Sequence, residues 1–352
     1  MSSVVLLGSG ALARSVCYAL AVSAVPMTVT VAARDGSKAA EVAYVANTKA
    51  AMCGAPVRCR SVPSQLADPL ELSRVLAATR PDIVLLAASH HSSCEPVRAG
   101  STWARLLERA GTGLTAPLHA LLAITAAEVV AQIGRSRLLV ASFPDAVNPM
   151  LVALGLPVFA GVGNAALLTA SLRASLDVPP QTRVRMLAHH VHLGPPHSPD
   201  DEARAWVDTS PVPDVSSALA GQRASRRCEL NLIAGYGAAL LIRDLLAGIQ
   251  VHTNLPGPLG LPGGYPVRIN GDIQLDLPPE VTRESAVEFN RAAARRDGVD
   301  VDGDQVHFSD QVLGALEPYL PGLAGGFPVD ALVTVAGQLL DLRAKLRMAT
   351  DL

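Results

Sequence analysis

The stretch VVLLGSGALARS, residues 4–15, constrains this chain most: an apolar run breaks into Gly-Ser-Gly and a helical segment begins at once. Gly8, Gly10 and Ala13 fit the pattern G-x-G-x-x-A between a strand and a helix. In that setting the first glycine permits the tight turn and the second lets backbone approach a pyrophosphate. The alanine lets helix and strand pack closely, and the helix N-terminus offers free N–H donors to an anion. The same turn can also serve as a bare strand-to-helix connection. The organisation of the remaining chain decides between the two.

Short apolar or β-branched runs recur at 3–8, 27–33, 57–62, 82–88 and 137–143, with a further one at 156–163. Helical periodicity fills 11–23, 37–51, 68–79 and 114–134 between them. Such alternation predicts a doubly wound parallel sheet, a Rossmann-type dinucleotide-binding domain over 1–150. After about residue 165 the pattern becomes a mixed α+β domain, 151–352. QTRVRMLAHHVHLG (181–194) alternates like an antiparallel strand, a long helix is expected at 219–249, and GGYPVRINGDIQLDL (263–277) reads as a hairpin turning at Asn270-Gly271. Helices are expected again at 279–297, 309–319 and 328–349.

Of the 352 residues 49% are hydrophobic, 17% charged and 3% aromatic, so Ala, Val and Leu build the core. The formal net charge of −2, without a basic tract, argues against nucleic acid as a partner. Five scattered cysteines show no metal-ligand spacing and read as free thiols of a reducing compartment. No basic leader precedes the first strand, and the apolar segment 118–133 is short and interrupted by polar residues. These features point to a cytoplasmic protein acting on a small molecule away from the membrane.

The second strand ends in VTVAARDGSK, with Ala33 where an NAD-binding carboxylate would stand. Arg34, Ser37 and Lys38 suit the 2′-phosphate of NADP, since Arg grips a phosphate with two hydrogen bonds. Asp35 offers the competing contact, to the free ribose of NAD.

Several stretches, in order, resemble the lactate/malate dehydrogenase superfamily: VVLLGSGALA, KAAEVAYVAN (38–47), PDIVLLAAS (81–89), RLLVASFPDAVNPML (137–151), FAGVGNAALLTASLRASLDV (159–178), VRMLAHHVHLG (184–194) and NLIAGYGAALLIRDLLAG (231–248). The resemblance implies hydride transfer at a nicotinamide, a homodimer or homotetramer, and a proton-shuttling histidine in the slot of His190. Strand alternation agrees, since it brings His190 out of an apolar face at a strand end, where an imidazole titrates near neutrality. His189-His190-x-His192 would make an incomplete metal site, and no metal is expected.

The departures matter as much. In this alignment Leu168 and Ser171 fall where the family has the Asp that partners its histidine and the Arg that clamps a keto-acid carboxylate. Phe143 falls on the Asn of its Thr-Asn-Pro turn, and Trp103 comes nearest to the lid arginine. Without that guanidinium the strongest grip on a keto acid is gone, so ordinary lactate or malate is not the expected substrate. Asp145 is the candidate replacement for the catalytic carboxylate, or else the cap of the helix that follows it. Asn148, Ser171, Arg98 and Arg105 are candidates for shaping the substrate pocket. Gly8, Gly10, Ala11, Leu12, Ala13, Arg34, Ser37, Lys38, Ala88 and Phe143 are the expected cofactor contacts. The expected activity is NADPH-dependent reduction of a C=O group in a specialised metabolite, with NAD the alternative cofactor. The rivals are reduction of a C=N bond formed with an amine, and a cofactor-binding relative that catalyses nothing.

Overall fold

Strand β1 (Ser2–Leu7) buries Val4 to Leu7 completely, as a strand covered on both faces must. It pairs in parallel with β2 (Met27–Ala33) on one side and β4 (Ile83–Leu86) on the other. With β3 (Val57–Pro63), β5 (Arg137–Val140) and β6 (Ala160–Gly161) the order is β3-β2-β1-β4-β5-β6, parallel throughout. The strand order reverses beside β1, and ligands of doubly wound sheets bind in the crevice there. The fold is the expected doubly wound α/β sheet, followed by a mixed α+β region. The computed structural model describes residues 1–91, 101–179, 182–323 and 326–348, so Arg98 lies outside the described residues.

Helices α1 (Ala11–Leu20), α2 (Gly36–Cys53), α3 (Pro69–Thr79), α4 (Thr102–Ala110), α5 (Ala116–Ile133) and α6 (Pro144–Ala153) connect these strands. Local chemistry sets their ends. Asp35 and Asp68 cap α2 and α3, and Gly54 and Gly134 close α2 and α5 in left-handed conformations. The helical run 112–133 that contains α5 has the length and apolarity to cross a bilayer, contrary to the reading of 118–133 as too short. Its most apolar stretch is 78% buried, because it forms the core beneath the sheet.

The second half opens with α7 (Asn164–Ser175) and the antiparallel strands β7 (Val184–Leu187), β8 (Arg204–Val207) and β9 (Ser210–Pro211). Helices α8 (Val215–Ala224) and α9 (Arg227–Leu246) replace the single helix expected at 219–249. The break at Ser225 has a tertiary cause. Arg223 on α8 is held by Glu202 at 2.8 and 2.9 Å, while α9 must lie on α1. That approach requires glycine: a Cβ at Gly235 would stand 2.3 Å from the Ser15 hydroxyl oxygen, which donates to the Leu232 carbonyl.

Strands β10 (Val251–Pro256), β11 (Gly264–Asn270) and β12 (Asp272–Leu275) form a meander whose last turn is the expected one, at Gly271 with φ 78°. Helix α10 (Arg283–Asp297) ends at Gly298. It is followed by an unexpected hairpin of β13 (Val299–Asp302) and β14 (Gln305–Phe308), then α11 (Asp310–Leu316), β15 (Phe327–Pro328) and α12 (Leu332–Met348). The hairpin and α12 share one apolar core with α4, α5 and α6. The six-stranded sheet runs on to β6 and the last fifty residues return to it, so chain on both sides of residue 150 builds the first core.

Candidate active site

The turn after β1 is built as its sequence requires. Gly8 has φ 123°, and a Cβ there would lie 2.9 Å from the Ala87 carbonyl oxygen. Gly10 occupies the N-cap of α1 with no side-chain cap, and nothing stands within 4 Å of where its Cβ would be. The first N–H groups of α1 are thus open to an anion. Ala13 is fully buried against the sheet.

A cavity of about 630 Å³ opens on this turn, within the range of cofactor sites. Gly8, Gly10, Ala11 and Leu12 line one wall, Ala88 and Phe143 the strand ends, and Asn164, His190, Arg227 and Asn231 the far side. A second compartment of about 420 Å³ adjoins it and shares His190, Asn164, Arg227 and Asn231. The wall of the first compartment combines the small Gly8, Gly10 and Ala11 with the polar Asn164 and Asn231 and the cationic Arg227.

His190 stands in the wall common to both compartments, though not on a strand. β7 ends at Leu187, and His190 opens a single turn of tight helix, His190–Leu193. The expected alternation fails because the His189 N–H donates to His192 Nδ1 at 2.7 Å, which closes the chain into a cap. His192 therefore turns inward, its Nε2 3.0 Å from the Asp201 carbonyl oxygen, and burial drives its pKa down to about 4.

The partner of His190 is Asp297, the last residue of α10. His190 Nδ1 lies 3.0 Å from Asp297 Oδ2 and 3.3 Å from Oδ1. Burial is the largest influence on His190 and lowers its pKa. The charge and hydrogen bond of Asp297, helped by Asp145, outweigh it and raise the pKa above the ordinary 6.5. Asp297 is itself buried. Burial pushes its pKa up, and the two histidines, 190 and 189, push it down further, so it stays far below the usual carboxylate range. The docking of α10 depends on two glycines: a Cβ on Gly113 would lie 2.3 Å from the Gly298 carbonyl carbon. This contact sets the end of α10 against Thr112, which lines both compartments.

Rings continue along the first compartment. Phe143 packs edge-on to His190 at 5.1 Å between centroids, His119 to Phe143 at 5.9 Å, and His91 to His119 at 5.5 Å. Phe143 holds φ 50°, a left-handed backbone costly for a bulky residue, at the turn between β5 and α6. His119 is buried on α5, its Nδ1 without a hydrogen-bond partner among the described residues. Burial first, then the charges of His91, His190 and Arg227, take its pKa down to about 3. It is neutral at physiological pH.

The other expected residues lie elsewhere. Asp145 is buried in the first turn of α6, where its Oδ2 accepts from Asn164 Nδ2 at 2.9 Å. It thus acts on the site through Asn164 and through its charge on His190. Asn148 is fully buried and donates to the Gly257 carbonyl at 3.1 Å, tying α6 to the loop after β10. Ser171 lines neither compartment, because its hydroxyl bonds back to Leu167 O at 2.9 Å on its own helix. Arg105 also lies off both walls and donates to Thr102 Oγ1 at 3.1 Å. Ser37 and Lys38 are exposed at the start of α2, outside the main cavity, with Lys38 Nζ 3.2 Å from Asp35. Asp35 also accepts the Lys38 N–H, so its carboxylate is engaged in capping α2. Arg34, exposed beside it, does not line the cavity either and makes no ion pair among the described residues.

Asp297, His119, Asn164, Arg227 and Asn231 were not identified from the sequence. One signal was there for Asp297: RAAARRDG ends a helix on an acid, against the helix dipole, so some other interaction must hold it.

No protein-family model matches the sequence, and no curated protein matches it. Solved structures do match in fold. The apo malate dehydrogenase of Picrophilus torridus superposes with a TM-score of 0.57 at 14% identity, over 84% of this chain and 96% of that one. The minor L-lactate dehydrogenase of Enterococcus mundtii gives 0.52 at 15% identity, over 83% and 95%. The malate dehydrogenase of Salinibacter ruber gives 0.52 at 13% identity, over 97% and 99%. The fold is therefore that of lactate and malate dehydrogenases along nearly the whole length.

Proposed function

We propose that this chain is a nicotinamide-dependent oxidoreductase that reduces a carbonyl group, with His190 as proton donor and Asp297 as the carboxylate that orients it. One observation carries the reading. An imidazole paired with a buried carboxylate stands between a compartment opening on the dinucleotide turn and a second compartment sized for a substrate. The neighbours in fold, malate and lactate dehydrogenases, support the same chemistry.

The bound nicotinamide would supply the hydride. Open N–H groups at the start of α1 would hold the pyrophosphate, and Gly10 leaves room for its approach. With Nδ1–H given to Asp297, the second proton of charged His190 sits on Nε2. That atom gives the proton to the carbonyl oxygen as the alcohol forms. Asp297 keeps the ring in this tautomer and stabilises its cation. The Phe143 ring, packed edge-on to His190, keeps water from the reacting face.

NADPH is the preferred form on this reading. Arg34, at the end of β2, has no ion pair among the described residues, and Asp35 is engaged in its cap. Fluorescence titration with NADPH and NADH, followed by a carbonyl panel with and without an amine, tests the function. NADPH binds, at least one carbonyl is reduced without amine, and His190→Gln lowers kcat by about 10²–10⁴-fold. Absence of nicotinamide binding, or an unchanged kcat in the variant, overturns the proposal. Turnover only with an amine moves the chemistry to a C=N bond.

A further inference from the structure

We infer that the second compartment is a subsite for a negatively charged, hydrogen-bonding tail of the substrate, with Arg227 as its counter-ion; this rests on the reading of His190 as the proton donor. Arg227, Asn231 and Ala234 recur at positions i, i+4 and i+7 of α9, so they form one stripe, and all three line the compartment. The stripe faces the compartment because Gly235 seats α9 on α1.

The charges around the compartment cancel except at Arg227. Asp297 is matched by His190 at 3.0 Å, and Arg223 by Glu202 at 2.8 Å. Glu229, the acid nearest to Arg227 in sequence, is taken by Arg226 at 3.3 Å. The guanidinium of Arg227 has no ion pair or hydrogen bond among the described residues, and the exposed residue lines both compartments.

A second observation is independent of that charge. Besides the two arginines, the polar side chains of Asn164, Gln222, Ser225 and Asn231 line the compartment, and such a wall suits a polar ligand. A carboxylate would suit Arg227 as a two-pronged acceptor. It would lie on the far side of His190 from the dinucleotide turn. The substrate class is therefore a ketone or aldehyde with its acid separated from the carbonyl by a chain, in a space of about 420 Å³.

The test uses methyl ketones with two to four methylenes between carbonyl and carboxylate, each beside its methyl ester. Calorimetry with the full chain alone reads their binding, and reduced-cofactor fluorescence reads cofactor binding separately. At least one acid binds the native chain about tenfold or more tighter than its ester, and Arg227→Met removes that preference while circular dichroism shows the fold retained. Equal binding of acids and esters overturns the inference. So does a preference that survives in the variant, or a variant whose loss falls on the cofactor instead. Acid preference without any nicotinamide binding would sink the reductase reading and leave the anion subsite standing.

Discussion

At His190 burial and the charge of Arg227 oppose the carboxylates of Asp297 and Asp145, and the outcome predicts a pH profile. Burial alone would leave the ring neutral, and the Asp297 carboxylate holds the proton past the ordinary 6.5. In the reducing direction the rate therefore stays level below the raised pKa and falls as pH rises through it. Asp297→Asn removes the charge and leaves the burial. The falling limb then moves below pH 6.5, and turnover at neutral pH drops about 100-fold or more, as read from kcat against pH in both proteins. The pair also links pH to stability. The contribution of His190 is complete below its unfolded value near 6.5 and is lost as pH rises through the raised pKa. The contribution of Asp297 is complete above 3.8 and is lost as pH falls through its depressed pKa. Phe143 shows a different residue-scale effect. Its left-handed φ of 50° holds a ring against His190 where the resembling family has an asparagine, a residue that tolerates such a backbone.

Among the elements, α10 and α9 make the site by approaching other parts of the chain at glycines. The end of α10 meets the segment Thr112–Thr115 where Gly298 faces Gly113. Gly113→Ala forces backbone apart there. It should cost about 1–3 kcal/mol in urea unfolding and weaken the hold of Asp297 on His190, so the falling limb of the pH profile shifts down as well. An unchanged midpoint and profile would show that the two segments are free to separate. Gly235 serves α9 in the same way against Ser15. The proposed cofactor preference belongs to the turn between β2 and α2. Because Asp35 is engaged with Lys38 and Arg34 has no ion pair among the described residues, Arg34→Ser should weaken NADPH about tenfold or more and leave NADH nearly unchanged, measured as the ratio of their Kd values. Equal losses for both cofactors would assign Arg34 no part in reading the 2′-phosphate.

Over the whole molecule, local signals specified the α/β half. β1 and its glycine turn, the Asp35 and Asp68 caps, the periodicity of α1 to α3 and the turn at Gly271 all follow from neighbours within a few residues. Strand alternation and φ-positive glycines act over that range and a linear reading captures them, whereas Asp35, read as a ribose contact, proved to be a helix cap. His190 is named by the same reading through its resemblance to a known motif. Its backbone follows the cap made by His192, a tight local turn that overrides alternation, and its partner is decided elsewhere, since Asp297 lies 107 residues further along. The break between α8 and α9 depends on Glu202 and Ser15, which no periodicity connects to it. The sequence by itself determined the architecture and the dinucleotide turn, because both are written in residues adjacent along the chain. Only the tertiary structure decided which acid serves the histidine and which cation faces the second compartment, because charge pairing acts through space and depends on which helices the core brings together.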